Sequence, residues 1–247
     1  MDIKQAAKKA AELISNSHKT LVLTGAGIST ESGIPDYRSK DTGLWGKYDP
    51  AAKASVTALM NDPVDFYNFN IPRWTEYTHC KPNIAHRVLA QMEKAGLIRG
   101  IITQNIDGLH IKAGSEMVWE VHGHLRTCHC MKCGESYDFT ELTRQYNDGI
   151  NPPRCENCDG LLRPDVVLFG DSMSRDYFQA QSELIDCQLL LVVGSSLQVY
   201  PVADMPYRAE KLIIVNKEPT PCDDRAEIVV NDSIGKFFTE LAEALEL

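Results

Sequence analysis

No stretch of this 247-residue chain approaches the ~18 uncharged apolar residues that a membrane-spanning helix needs. From Met1 to Lys9 there is no apolar core of signal-peptide length either, so the protein is expected in the cytoplasm. Positive charge is scarce: 25 Lys and Arg stand against 34 Asp and Glu, a net charge of −9. Such a molecule is a poor electrostatic partner for nucleic acid or an anionic membrane, and neither is expected to bind it directly. Internal repeats and low-complexity tracts are absent, which argues against solenoids, collagen-like arrays and disorder. What is there is ordinary globular composition, 43% apolar and 24% charged. At roughly 150 residues per domain the length makes one large domain or one and a half.

Ile3, Ala6, Ala7, Ala10, Leu13 and Ile14 recur at three and four, the spacing of an amphipathic helix capped near Asp2. Leu21, Val22 and Leu23 form a short apolar run that stops at Thr24 and Gly25, a buried strand feeding a glycine turn. Runs at 100–103, 117–121, 166–169, 189–193, 212–215 and 228–230 have the same character. They are continuous rather than alternating, as parallel strands covered on both faces are. Helical patterns lie between them at 85–92, 177–185 and 234–245. This alternation predicts an α/β fold with a doubly wound, mostly parallel, Rossmann-like sheet. Two stretches break the rhythm. Residues 36–81 are aromatic-rich and interrupted by Pro50, Pro63 and Pro72, and residues 126–163 carry most of the cysteines. Both read as insertions that together build a second, smaller module.

Cys130 and Cys133, then Cys155 and Cys158, form two C-x2-C pairs at the spacing of a four-thiolate zinc ribbon. Four unrelated core thiols are the plain alternative. Cys128 and His129 stand beside the first pair as competing ligands, but only Cys130 completes it. Four thiolates leave no open position for water, so the metal would hold the insertion together and do no chemistry. A zinc ribbon is also compatible with a binding module that catalyses nothing.

Gly25-Ala26-Gly27-Ile28-Ser29-Thr30 follows a strand, as a dinucleotide-binding turn does, but Thr30 stands where a third Gly is expected. A simple strand-to-helix turn has the same look. No strand-end carboxylate follows about 20 residues later to clasp an adenosine ribose, which disfavours an ordinary dehydrogenase.

Six blocks in order carry a sharper signal: Gly25 to Ser39 (GAGISTESGIPDYRS), Thr103 to His110 (TQNIDGLH), His122 with Gly123, the four cysteines, Arg163 to Asp171 (RPDVVLFGD) and Gly194 to Pro201 (GSSLQVYP). Together they resemble the sirtuin family, in a short bacterial-type form. The resemblance implies NAD-dependent removal of acetyl groups from protein lysines, giving nicotinamide, O-acetyl-ADP-ribose and free lysine. It implies a Rossmann-like NAD-binding domain from 1–35, 82–125 and 164–247, a helical insertion with a cofactor loop at 36–81, and a zinc ribbon at 126–163. NAD would be the co-substrate, one zinc the structural metal, an acetyl-lysine protein or peptide the partner, and the chain a monomer.

By the same resemblance the pyrophosphate lies over Gly25, Ala26 and Gly27, with Thr30, Gly194, Ser195 and Ser196 beside it; backbone and hydroxyl donors suit a phosphate without a Lys. Asn216, Lys217, Asp232 and Ser233 approach the adenosine half. Asp36, Tyr37 and Arg38 share the cofactor loop, Tyr37 standing where most sirtuins carry Phe. Gln104, Asn105, Ile106 and Asp107 follow a strand, where a polar Asn-Ile-Asp-Gly turn is the plainer reading. The resemblance gives Asn105 and Asp107 the nicotinamide ribose and carboxamide. A lone His is more often structural than catalytic, yet His122 matches the sirtuin general base, and imidazole takes both proton states near neutrality. His110, His124 and His129 lack that match and read as loop residues.

Val166, Val167, Leu168 and Phe169, otherwise a buried strand, would line an apolar tunnel that admits a neutral acetyl-lysine and not a charged lysine. The peptide would add as a strand between Gly170-Asp171 and the Leu197–Tyr200 segment that includes Val199. Sirtuins that prefer acidic acyl chains carry a Tyr followed three residues later by Arg; Tyr67 is followed by Asn70. Tyr67 is thus expected at the acyl group, with acetyl favoured over succinyl because a buried carboxylate would lack its cation. ADP-ribosyl transfer to protein, or a non-catalytic module holding NAD and zinc, are the alternatives.

Overall fold

The computed structural model describes residues 2–36, 43, 46 and 48–247. Helix α1 (Ile3–Ser15) opens on Asp2, whose carboxylate accepts the Gln5 N–H at 2.8 Å, and leads into β1 (Thr20–Thr24). A 3-10 turn over Ala26–Ser32 follows. Three helices come next: α2 (Pro50–Lys53), α3 (Val56–Asn61) and α4 (Pro63–His79). Pro50 and Pro63 do not interrupt helices but start them, at a position where a missing N–H costs nothing. Only Pro72 lies inside one.

Helix α5 (Ile84–Lys94), β2 (Gly100–Thr103), the short α6 (Leu109–Lys112) and β3 (Val118–Glu120) return to the main sheet. Strands β4 (Gly123–Cys130) and β5 (Ser136–Asp138), helix α7 (Phe139–Asn147) and β6 (Leu162–Val166) make the small module. Helix α8 (Arg175–Glu183), β7 (Leu189–Val193), β8 (Lys211–Val215), β9 (Ile228–Val230) and α9 (Ile234–Ala244) complete the chain.

The six-stranded sheet runs β3-β2-β1-β7-β8-β9, parallel throughout, and the sheet of the small module runs β5-β4-β6, antiparallel. Strands β1, β2, β7 and β8 bury nearly every side chain, which is why they read as unbroken apolar runs. One face packs on α1, α5 and α9 through Ala7, Leu89 and Phe238; the other packs on α8 and a 3-10 helix at Val202–Arg208 through Tyr177 and Met205. A third apolar cluster joins α4 and α7 to β4 and β6 around Phe66, Trp74, Leu142 and Leu162.

One expected strand is corrected. The run 166–169 is not a parallel strand of the main sheet: only Val166 is in a strand, as the last residue of β6. Its continuation turns away to pair with the α2–α3 junction, Phe169 N–H donating to Ala54 O at 2.9 Å and Val56 N–H to Phe169 O at 3.0 Å. No helix among the described residues is long and apolar enough to cross a membrane.

Candidate active site

The strand order reverses between β1 and β7, and the crevice beyond their carboxyl ends is where such sheets bind ligands. Here two loops meet backbone to backbone. The Gly27 N–H donates to Gly194 O at 2.9 Å, and a Cβ on Gly25 or Gly27 would lie 2.7 Å from Gly194 atoms. Gly194 itself has φ +62°. The two glycines are thus required first by the neighbouring loop.

A cavity of about 850 Å³ opens there. Gly25, Ala26, Gly27 and Thr30 line it together with Gly194, Ser195 and Ser196, and so do Asn216, Lys217, Asp232 and Ser233. Asp36 is on the wall, whereas Tyr37 and Arg38 lie outside the described residues.

Gln104, Asn105, Ile106 and Asp107 leave β2 at the cavity floor. Gln104 Nε2 donates to Ser195 Oγ at 2.8 Å, tying the β2 end to the β7 end. Asn105 Nδ2 donates to Gly25 O at 3.2 Å and Ser29 Oγ at 3.1 Å, and Ser29 Oγ donates to Asp107 Oδ2 at 2.7 Å. Burial raises the Asp107 carboxyl above its ordinary range, against the Leu109 N–H and the Ser29 hydroxyl, which stabilise the anion. Half-buried His122 sits just past β3, its Nδ1 3.1 Å from Gln104 O. A carbonyl can only accept, so Nδ1 carries the proton and the lone pair is on Nε2. Gly123 follows at φ +78°, packed on the Asp165 and Val166 backbone, and Val167 N–H donates to His122 O at 2.8 Å. The imidazole and the apolar wall are therefore neighbours along one backbone contact.

That wall is Val166, Val167, Leu168 and Phe169, and Gly170, Asp171, Val199 and Tyr200 line the same cavity. Asp171 braces it, accepting Leu168 N–H at 2.8 Å and Arg163 Nη2 at 2.7 Å.

Tyr67 is the residue that sequence reasoning misplaced. It is fully buried in the small-module core, its hydroxyl donates to Leu162 O, and it is not on the cavity wall. The α4 face that borders the cavity is Phe69, Asn70, Arg73, Trp74 and Tyr77. The three-and-four spacing of these residues was the available signal. Arg73 is stacked on Phe69, 3.8 Å from the ring centroid, and donates to the Phe69 carbonyl. Glu31 was also missed: its carboxylate accepts Ser233 Oγ at 2.9 Å and Gly235 N–H at 3.0 Å, joining the first glycine loop to α9. Nor is His110 a loop residue; it is buried on α6. His124 and His129 are on β4, where His129 pairs with Asp165.

The ligand atoms of Cys130, Cys133, Cys155 and Cys158 all lie within 4.8 Å of one another, with Sγ pairs at 3.5 Å and 3.7 Å. Tetrahedral zinc with ~2.3 Å bonds places sulfurs about 3.8 Å apart, so the set fits that ion. A Cβ on Gly160 would come within 2.6 Å of Cys130 Sγ, so the turn beneath the sulfurs has to be glycine. Cys128 is buried elsewhere and donates to Asp138 O.

The Sir2 family model matches residues 25–201. An NAD-dependent protein deacetylase 2 of Caldanaerobacter subterraneus subsp. tengcongensis is 50% identical over 94% of this chain and 93% of its own. A solved Sir2 with a deacetylated p53 peptide and 3′-O-acetyl-ADP-ribose superposes with a TM-score of 0.91 at 36% identity, covering 96% of this chain and 97% of that one. A Sir2 structure with p53 peptide and NAD⁺ gives 0.88 at 35% identity, with coverage of 96% and 97%.

Proposed function

Because this chain belongs to the Sir2 family, we propose that it removes acetyl groups from protein lysines using NAD⁺, releasing nicotinamide, O-acetyl-ADP-ribose and free lysine. The observation that carries this reading is the meeting of a glycine-lined nucleotide crevice with an apolar wall beside His122. The co-substrate supplies the bond that is cleaved, between nicotinamide and ribose.

The protein's part is binding, orientation and proton transfer. The Gly25 and Gly27 N–H groups are held by Val193 O and Gly194 O, so the Ala26 N–H and the Ser195 hydroxyl take the pyrophosphate, and Asn216, Lys217, Asp232 and Ser233 take the adenosine half. Asn105 and Asp107 orient the nicotinamide ribose and carboxamide. His122, with its lone pair on Nε2, takes a proton from the ribose hydroxyls. Val167, Leu168 and Phe169 sheathe the acyl-lysine, and a charged lysine is excluded by its desolvation cost. The substrate backbone adds between Gly170 and Val199, reading main chain more than side chain. The four cysteines hold one structural zinc and take no part in the reaction. We place the protein in the cytoplasm, where thiols stay reduced, and treat it as a monomer.

Acetyl is favoured over succinyl because the α4 face on the cavity presents Asn70 rather than a cation, and the Arg73 guanidinium beside it is engaged on Phe69. The test incubates the enzyme with NAD⁺ and matched acetyl- and succinyl-lysine peptides and quantifies products by mass spectrometry. Nicotinamide, free-lysine peptide and O-acetyl-ADP-ribose should form in equal amounts from the acetyl peptide, at least tenfold faster than from the succinyl one. ADP-ribose covalently attached to protein would instead support the transferase alternative.

A further inference from the structure

Beneath the cavity floor lies a second set of polar groups that the reaction does not touch. His110 on α6 is buried, and its Nε2 is 3.0 Å from Thr24 Oγ1 at the end of β1. Thr24 Oγ1 donates to Thr103 Oγ1 at 2.8 Å, and Thr103 Oγ1 accepts the Asn105 N–H at 3.1 Å. Both threonines are buried. The His110 Nδ1 atom has no hydrogen-bond partner among the described residues, and neither does Nε2 of His86, whose ring centroid is 4.8 Å away.

Counting protons orders this chain. Thr24 Oγ1 has one proton and gives it to Thr103, so it can only accept at His110, which puts the hydrogen on Nε2 and leaves the unpartnered Nδ1 bare. Nε2–H then donates to Thr24, and the single Thr24 proton goes on to Thr103. The Thr103 oxygen is left accepting at the Asn105 backbone. Burial, and next the nearby His86, hold the His110 imidazole well below its ordinary range, which keeps Nδ1 bare. From Asn105 the bonds continue through its amide to Ser29 and on to Asp107, so one hydrogen-bonded line runs from His110 to two residues of the reacting end.

We infer that His110 is a positioning residue for Asn105, acting through Thr24 and Thr103 to fix the backbone from which the Asn105 amide projects. The inference rests on the role given to Asn105 above. A misplacement of about 1 Å at a reacting centre costs about 10²-fold in rate, so loss of the relay is expected in kcat rather than in binding.

The test compares His110→Leu with His110→Gln, whose side-chain amide keeps a donor near the Nε2 position, and Thr24→Val with Thr24→Ser, which keeps the hydroxyl. Steady-state nicotinamide release from NAD⁺ and an acetyl-lysine peptide is measured for each. His110→Leu and Thr24→Val should each lower kcat by about tenfold or more, with both KM values within about twofold of wild type. His110→Gln and Thr24→Ser should stay within about threefold, and the Leu/Val double variant should be no slower than the worse single one. Should His110→Leu fail to fold, the near-isosteric Thr24→Val and Thr24→Ser pair still decides the matter. Unchanged kcat in Thr24→Val, equal impairment of His110→Gln and His110→Leu, or additive losses in the double variant would overturn the relay. A wild type that releases no nicotinamide would overturn the functional reading instead.

Discussion

Burial pushes the Asp107 carboxyl up, so the folded protein binds that proton more tightly than the unfolded chain does. Its ionisation therefore subtracts stability as pH rises above the ordinary value of 3.8. Asp107→Asn should be more resistant to urea than wild type at neutral pH, the advantage shrinking as pH falls toward about 4. Deacetylation by the variant should fall about 10²-fold. A variant less stable than wild type at neutral pH would contradict this account. Such residues were legible because the motif around Thr103 to His110 names them, whereas Tyr67 was not. A tyrosine in an aromatic-rich stretch reads the same whether its ring meets ligand or core. Only the packing of α4 on β6 turned it toward Leu162. His110 was likewise illegible, since its partners Thr24 and Thr103 come from two other strands.

Among the elements, α5 carries a burden that depends on pH. Its capping box is Asn83 with His86, and burial, with Arg87 adding to it, drives the His86 imidazole down to about 4. The unfolded chain takes up that proton near 6.5 and the folded one resists it, so the stability present above 6.5 is lost as pH falls toward about 4. Urea midpoints should drop between about pH 7 and pH 5 in wild type and drop less in His86→Leu; parallel slopes would rule the effect out.

The 3-10 turn after β1 and helix α9 are joined by Glu31, whose carboxylate takes up the Ser233 hydroxyl and the Gly235 N–H. Glu31→Ala should raise KM for NAD⁺ by about fivefold, the scale of a lost cap, and leave KM for the acetyl peptide unchanged. The cysteine-bearing module adjoins the apolar wall through β6, which ends at Val166. Cys155→Ser should lose bound metal, become protease-sensitive within 126–163 and lose deacetylation with it. Full activity in a metal-free Cys155→Ser protein would separate the two. The strands of the main sheet were legible as buried apolar runs, but β4 and β5 were not. Both carry polar, partly exposed side chains, and the pairing of β4 with β6 slips at a bulge between Gly123 and Cys128, so no clean apolar pattern marks them.

The whole molecule is acidic, with a charge of −9. Acetyl peptides flanked by Lys or Arg should therefore show a KM that rises with ionic strength, while KM for a neutral-flanked peptide stays flat. Strand order is a property of this scale too. The alternation of strands and helices gave a doubly wound sheet, but the reversal between β1 and β7, which opens the crevice, comes from the long connection between Glu120 at the end of β3 and Leu189 at the start of β7, which no local pattern encodes. The central claim is that this crevice and the apolar wall make one reaction chamber with His122 between them. It is tested most directly by nicotinamide release from NAD⁺, with and without acetyl-lysine peptide, in wild type and in His122→Ala of verified zinc content. Release that requires both the peptide and His122, falling at least 10²-fold in the variant, is the predicted result. Release of deacetylated peptide at the wild-type rate by His122→Ala would contradict it.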